Sequence, residues 1–324
     1  MRVLVTGSTG HLGEALMRML PEAGHDPIGL DIKPGPYTEI VGSVADPEVA
    51  YTATLGIDAV LHTATLHKPH VVTHTKAAFV ETNVSGTLAL LEAAAQHRIR
   101  RFVFTSTTSA FGSALNPAPG EPAAWIDESV VPVPKNIYGV TKTAAEDLCA
   151  LFAREKGMDV IVLRTSRFFP EEDDNASVRA RWSEANVKAN EFLYRRVDIE
   201  DAATAHIAAL TAGSGFARYI ISAPTPFSPA DTLALRKDPR GVVARLYPQF
   251  ERIYADAGWQ MLDEFDRVYV SRKAMDELGW RPRWDFAAIL AQIAEGEPIG
   301  SALARTIGRK GYHDVTFADG PFPT

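Results

Sequence analysis

The stretch RVLVTGSTGHLG (residues 2–13) decides how the rest of the chain is read. A run of strand-forming residues enters a glycine-rich turn. Leu12, Leu16, Met19 and Leu20 then follow at helical spacing, and Gly24 closes the helix. Small residues let such a loop turn tightly and approach a pyrophosphate, whose charge meets backbone N–H groups and the positive end of the helix. A glycine-rich heptamer alone is weak evidence, but the required context is present here. A strand precedes it, a helix follows, and Asp31 ends the next strand, PIGLD (27–31), 18 positions after Gly13. A carboxylate at that place accepts hydrogen bonds from an adenosine ribose and repels a 2′-phosphate. Gly7, Thr9, Gly10, His11, Leu12, Gly13 and Asp31 are therefore expected to bind NAD in preference to NADP, with Lys33 softening the repulsion.

Outward from this stretch, strand-like runs alternate with helical patterns. IDAVLH (57–62) and RFVFTS (101–106) flank a helix carrying Val84, Leu88, Leu91 and Ala95. A helix after Tyr138 carries Val140, Ala144, Leu148 and Leu151 on one stripe, and DVIVLR (159–164) returns to strand. This alternation predicts an α/β fold, a doubly wound parallel sheet of Rossmann type. From about residue 166 the alternation breaks down into acidic and proline-rich stretches, although DIEDAATAHIAAL (198–210) and ARYIIS (217–222) resume it. The expected organisation is a nucleotide-binding domain over 1–165 plus about 198–222. A smaller, discontinuous substrate-binding part covers about 166–197 and 223–324, with ligand in the crevice between them.

Composition sets further bounds. The chain has 324 residues, 46% of them hydrophobic and 23% charged, which is a globular balance. A net charge of −7 without a basic patch argues against nucleic acid as a partner. One cysteine, Cys149, cannot form an internal disulfide and sits at an apolar helix position. The chain opens directly on a strand, and no apolar run approaches a membrane span, so no membrane association and a cytoplasmic location are expected.

The chemistry is carried by YGVTK (138–142). Tyr138 and Lys142 lie one turn apart on one helix side. An adjacent ammonium stabilises phenolate, which predicts a lowered tyrosine pKa and an acid–base group active near neutrality. Lys142 also has donors to hold a nicotinamide ribose. A hydroxyl should fix the substrate oxygen opposite Tyr138, and the strand end offers Thr105, Ser106, Thr107, Thr108 and Ser109.

These motifs together resemble the extended short-chain dehydrogenases/reductases of the NAD-dependent epimerase/dehydratase family. TGSTGHLG (6–13), DAVLHTA (58–64), ETNVSGT (81–87), FTSTTSAFG, YGVTK, IEDAATAH (199–206) and SRKAMDELGWRP (271–282) follow in the family's order. The resemblance implies a catalytic set of Thr107, Tyr138 and Lys142. It implies cofactor contacts from Thr63 and Ala64 to a ribose, Thr105, Thr165 and Ser166 near the nicotinamide, Ser43 and Val44 around the adenine, and Asn83 as a support. Ser43 departs from the family's usual Asp.

Other departures bear on the reaction. Thr108 and Ser109 replace the Asp-Glu pair of sugar 4,6-dehydratases, which argues against elimination. Arg167 stands where nucleotide-sugar epimerases have Asn, and Tyr194 where they have a diphosphate-binding Arg, with Arg195 and Arg196 beside it. The implied activity is hydride transfer at a secondary alcohol or ketone of a sugar or nucleotide-sugar. Epimerisation with retained NAD is the alternative, and a non-catalytic NAD-binding scaffold would be expected to have lost Tyr138 or Lys142. Lys68, His70, Thr108, Arg167 and Arg195 are candidate substrate contacts. His62, His67, His70 and His74 crowd one segment, but no metal site is expected because no carboxylate or cysteine joins them. The acidic run EEDD (171–174) reads as solvated surface. The resemblance implies a homodimer through the helices following Asn83 and Tyr138.

Overall fold

The structure, a computed structural model, describes residues 1–311, 313 and 317. Its strands are β1 (Arg2–Thr6), β2 (Asp26–Asp31), β3 (Ile40–Val41), β4 (Ala59–His62), β5 (Arg101–Thr107), β6 (Ala124–Ile126), β7 (Asp159–Thr165), β8 (Phe216–Ile221) and β9 (Arg267–Tyr269). Seven of them form one sheet in the order β3-β2-β1-β4-β5-β7-β8, every neighbouring pair parallel. The strands are near-continuous apolar runs because both faces are covered. Val3, Val5, Leu61, Val103, Ile161 and Leu163 turn to one core, which the helices His11–Glu22 and Ile199–Ala208 complete. Leu4, Val60, Phe102, Phe104, Val160 and Val162 turn to the other, which is covered by Gly86–Gln96 and Ile137–Lys156. This is the doubly wound fold expected. Strand order reverses between β1 and β4, and the crevice at their carboxyl ends opens there.

The stripe Val140, Ala144, Leu148 and Leu151 flanks the buried face of its helix, with Leu148 packed against the second core. Tyr138, Thr141, Lys142, Ala145, Glu146, Cys149 and Phe152 face inward, while Val140 remains 48% exposed. The buried face carries the polar site. Residues 124–126, within the expected nucleotide-binding domain, form β6, which pairs in parallel with β9 far along the chain. The core of the C-terminal part, with Tyr194, Phe227, Phe250, Phe265 and Phe286, draws in Ala123 beside this strand.

Gly7 and Gly13 are fixed by contact. Gly7 has φ +75°, and a Cβ there would come 2.9 Å from the Ala64 nitrogen. A Cβ on Gly13 would lie 1.9 Å from the Gly7 carbonyl oxygen, so the first turn of the helix rests directly on the loop. Gly13→Ala is expected to lower stability by about 3 kcal/mol through this overlap. Urea unfolding measures it, and an unchanged midpoint would show that the loop yields freely.

Candidate active site

A cavity of about 1050 Å³ runs from the glycine loop to Tyr269 and Arg267 in the C-terminal part. Its lining includes Gly7, Thr9, Gly10, His11, Leu12, Gly13, Asp31, Ser43, Val44, Thr63 and Ala64 at one end. Thr105, Thr107, Thr108, Tyr138, Thr165, Ser166, Lys68, His70, Arg167 and Arg195 line it further along. Asn83 and Lys142 lie behind its wall.

At the glycine-loop end, Gly10 caps the helix His11–Glu22 without a side-chain hydrogen bond, and a helix N-terminus of this kind favours an anion. Asp31 accepts N–H bonds from Thr9 at 3.0 Å and Lys33 at 2.9 Å, which aims its carboxylate at the cavity edge. The Thr63 hydroxyl donates to the Thr6 carbonyl at 2.7 Å, and the Thr63 and Ala64 amides donate to the Thr6 hydroxyl at 3.2 Å. That hydroxyl also contacts His62 Nδ1 at 2.7 Å, and His62 reaches Thr87 at 3.0 Å. Burial drives the His62 pKa down to about 3, so the ring is a neutral strut between β1, β4 and the adjoining helix. Ser43 accepts from the Ala45 amide at 3.2 Å in a local turn.

Several expected cofactor contacts differ in detail. Asn83 sits on a π-helical turn, Glu81–Ser85, and is fully buried. It donates to the Leu66 carbonyl and Thr141, and it accepts from the Leu66 amide and Thr65. It braces the loop after β4 rather than facing the cavity. The Thr105 hydroxyl donates to His206 Nε2 at 2.8 Å, because His206 Nδ1 must donate to the Ala202 carbonyl at 2.7 Å. Thr165 donates to the Ser106 carbonyl at 3.1 Å. Ser166, buried in the cavity wall, has no partner for its hydroxyl among the described residues.

At the catalytic end, Tyr138 and Thr107 both line the cavity, with the Thr107 hydroxyl close enough to act on the phenol. The electrostatics of Tyr138 reverse the expectation. Burial pushes the phenol up to about 12, opposed only by the Thr107 hydroxyl. Lys142, also buried, is driven down to about 7. Its ammonium stands over the Phe104 ring, 4.1 Å from the centroid. One turn further on, Glu146 accepts from Ser106 at 2.6 Å and from Arg164 and Arg218. This buried anion partly offsets the desolvation of Lys142.

The acidic run is not solvated surface. Glu171 is 8% exposed and lies 3.1 Å from His11 Nε2, and Asp174 pairs with Lys68. Arg167 meets Asp173 at 2.7 Å and Glu191 at 2.9 Å, and Arg195 meets Glu191 at 2.9 Å. Arg196 holds the other Glu191 oxygen at 2.7 Å. Three guanidiniums hold this buried carboxyl well below the usual range, against its desolvation. Glu191 escaped the sequence reading, since its only mark was one acid before two arginines. The rings of His67, His70 and His74 pack edge-on, 4.6 and 4.9 Å apart in sequence order. No group able to hold a metal ion occurs among the described residues.

Comparison with known proteins agrees with this architecture. A dTDP-glucose 4,6-dehydratase from Streptomyces antibioticus is 28% identical over 336 residues, covering 91% of this chain and 92% of that protein. Its counterpart from Streptomyces niveus is 31% identical over 191 residues, but the match spans only 55% of that relative and 52% of this chain. A short-chain dehydrogenase/reductase superfamily protein from Agrobacterium tumefaciens, crystallised with NAD, superposes with a TM-score of 0.66 at 22% identity. That superposition covers 94% of this chain and 97% of the other. The model of the NAD-dependent epimerase/dehydratase family matches residues 3–221, and the chain belongs to that family.

Proposed function

We propose that the protein is an NAD-dependent dehydrogenase/reductase that interconverts a secondary alcohol and a ketone on a sugar-like substrate. The observation that carries this reading is the presence of Tyr138 and Thr107 in the same cavity as the glycine loop and its helix. NAD, when bound, supplies the hydride acceptor or donor. Thr107 holds the substrate oxygen. Tyr138, protonated at neutral pH, delivers a proton to a carbonyl oxygen or receives one from an alcohol. The Asp31 carboxylate disfavours a 2′-phosphate. Ser166 offers a buried hydroxyl with no competing partner to the reacting end of the ligand.

Elimination is not proposed, since Thr108 and Ser109 lack the carboxylates it needs. The guanidiniums at the substrate end are already matched: Arg167 and Arg195 by Glu191 and Asp173, Arg267 by Asp266. Such compensation supports a substrate smaller and less charged than a nucleoside diphosphate sugar. An epimerase that retains NAD is the second reading. It is favoured by the segment Arg309–Gly311, which lies along the cavity mouth. We also propose a homodimer packed through the helices following Asn83 and Tyr138, on the second of which Val140 is nearly half exposed. No helix among the described residues is long and apolar enough to cross a membrane, and a cytoplasmic location fits the one buried thiol, Cys149.

The test is a panel of free uronic acids, aldoses, nucleotide sugars and hydroxysteroids with NAD and NADP, followed by absorbance of the reduced cofactor. Turnover with NAD on a free sugar acid or aldose is expected. Strict epimerisation of a nucleotide sugar, with cofactor released only on denaturation, would establish the second reading instead.

A further inference from the structure

The C-terminal segment Arg309–Gly311 runs along the cavity at the cofactor end and is anchored on both banks. On one bank, the Lys310 ammonium donates to the Thr9 carbonyl at 2.6 Å and pairs with Glu14 in the first helical turn. On the other, Arg309 pairs with Glu184 and lies 3.6 Å from Glu172, and the Lys310 amide donates to Glu171 at 3.3 Å. Further on, His313 Nε2 donates to the Pro69 carbonyl at 3.0 Å, and its ring meets His70 edge-on at 5.3 Å. These contacts therefore tie the glycine loop to the loops after β4 and β7.

Position gives this segment a consequence. Thr9 belongs to the glycine loop, and Lys310 and Gly311 themselves line the cavity. An ammonium has three donors, and the Thr9 carbonyl and Glu14 use two of those on Lys310. The helix beginning at His11 presents its N-terminus beside it. A dinucleotide diphosphate on that helix end would lie within the same enclosure, and a nearby cation favours such an anion.

We propose that Arg309–Gly311 is a cofactor clamp, with Lys310 supplying a cationic contact to the dinucleotide diphosphate from near the end of the chain. The clamp sets how fast the cofactor leaves. Binding of the nicotinamide part, and the identity of the substrate, do not depend on it.

Stopped-flow fluorescence of NADH displaced from the full-length protein tests this without any substrate. Lys310→Met removes the charge and keeps the stem, while Arg309→Ala loosens the opposite anchor and leaves the glycine loop untouched. Both variants are expected to release NADH about tenfold faster, the effect of losing one charge-assisted contact or anchor. Thermal melting of the cofactor-free proteins shows that each variant is folded. Release within twofold of wild type in both would overturn the proposal. Faster release from Lys310→Met alone would also overturn it, since Lys310 would then be a phosphate ligand without a clamp.

Discussion

Tyr138→Phe is expected to cut turnover about a thousandfold, within the range for loss of a positioned acid–base group, while leaving NAD binding intact. Tyr138 is buried, and Asp31 is held by the Thr9 and Lys33 amides, so loss of the phenol hydroxyl removes no contact of Asp31. Phenylalanine keeps the ring volume, and the Thr107 hydroxyl keeps its bond from the Ser109 amide at 3.1 Å. The direction of the pKa shift adds a second signature. A phenol pushed up to about 12 stays protonated at neutral pH, which suits delivery of a proton to a ketone. Ketone reduction is therefore expected to stay level into the alkaline range and then fall. Alcohol oxidation, which needs the group deprotonated, climbs with pH across that range. Initial rates in both directions against pH measure this. A Phe variant with a tenth of wild-type turnover would remove Tyr138 from proton transfer.

Lys142→Met is expected to make the cofactor-free protein more stable. Burial lowers the Lys142 pKa to about 7, against 10.5 for the free side chain. Between those values the unfolded chain holds a proton that the folded chain lacks. The stability deficit is thus full below pH 7 and is relieved as pH rises toward 10.5. Methionine fills similar space over the Phe104 ring and carries no charge. The melting temperature of the variant should exceed wild type by about 2–5 °C at pH 6.5, and the gap should close by pH 10. A variant less stable at both values would make the ammonium a structural strut. Catalytic loss beside a gain in stability would mark a charge kept buried for function.

What could be read from the sequence follows from range. The glycine loop, Asp31 and the Tyr138–Lys142 spacing depend on local backbone geometry, and so did the sheet, whose buried strands are short apolar runs. Partners distant in sequence were not legible. Glu171 reaches His11 and Asp174 reaches Lys68 across more than a hundred residues, so an acidic run looked like surface. Thr105 stood in a row of hydroxyls at a strand end, and only His206 in space distinguishes it from Thr107. The stripe from Val140 to Leu151 was visible, but the buried face beside it was not. That face is held inward by the Glu146–Arg164–Arg218 network, whose members come from three elements. β6 and β9, three residues each, are too short for any period to show.

The pairing of β6 with β9 also governs how such a molecule can change. A segment leaving the nucleotide-binding half before Tyr138 is woven into the opposite lobe, so that lobe is no detachable cassette. Exchanging it wholesale for another would strand β6 without a neighbour and unseat the loop that leads to Tyr138. New specificities in this scaffold must arise by point replacement along the cavity wall, with the weave left in place.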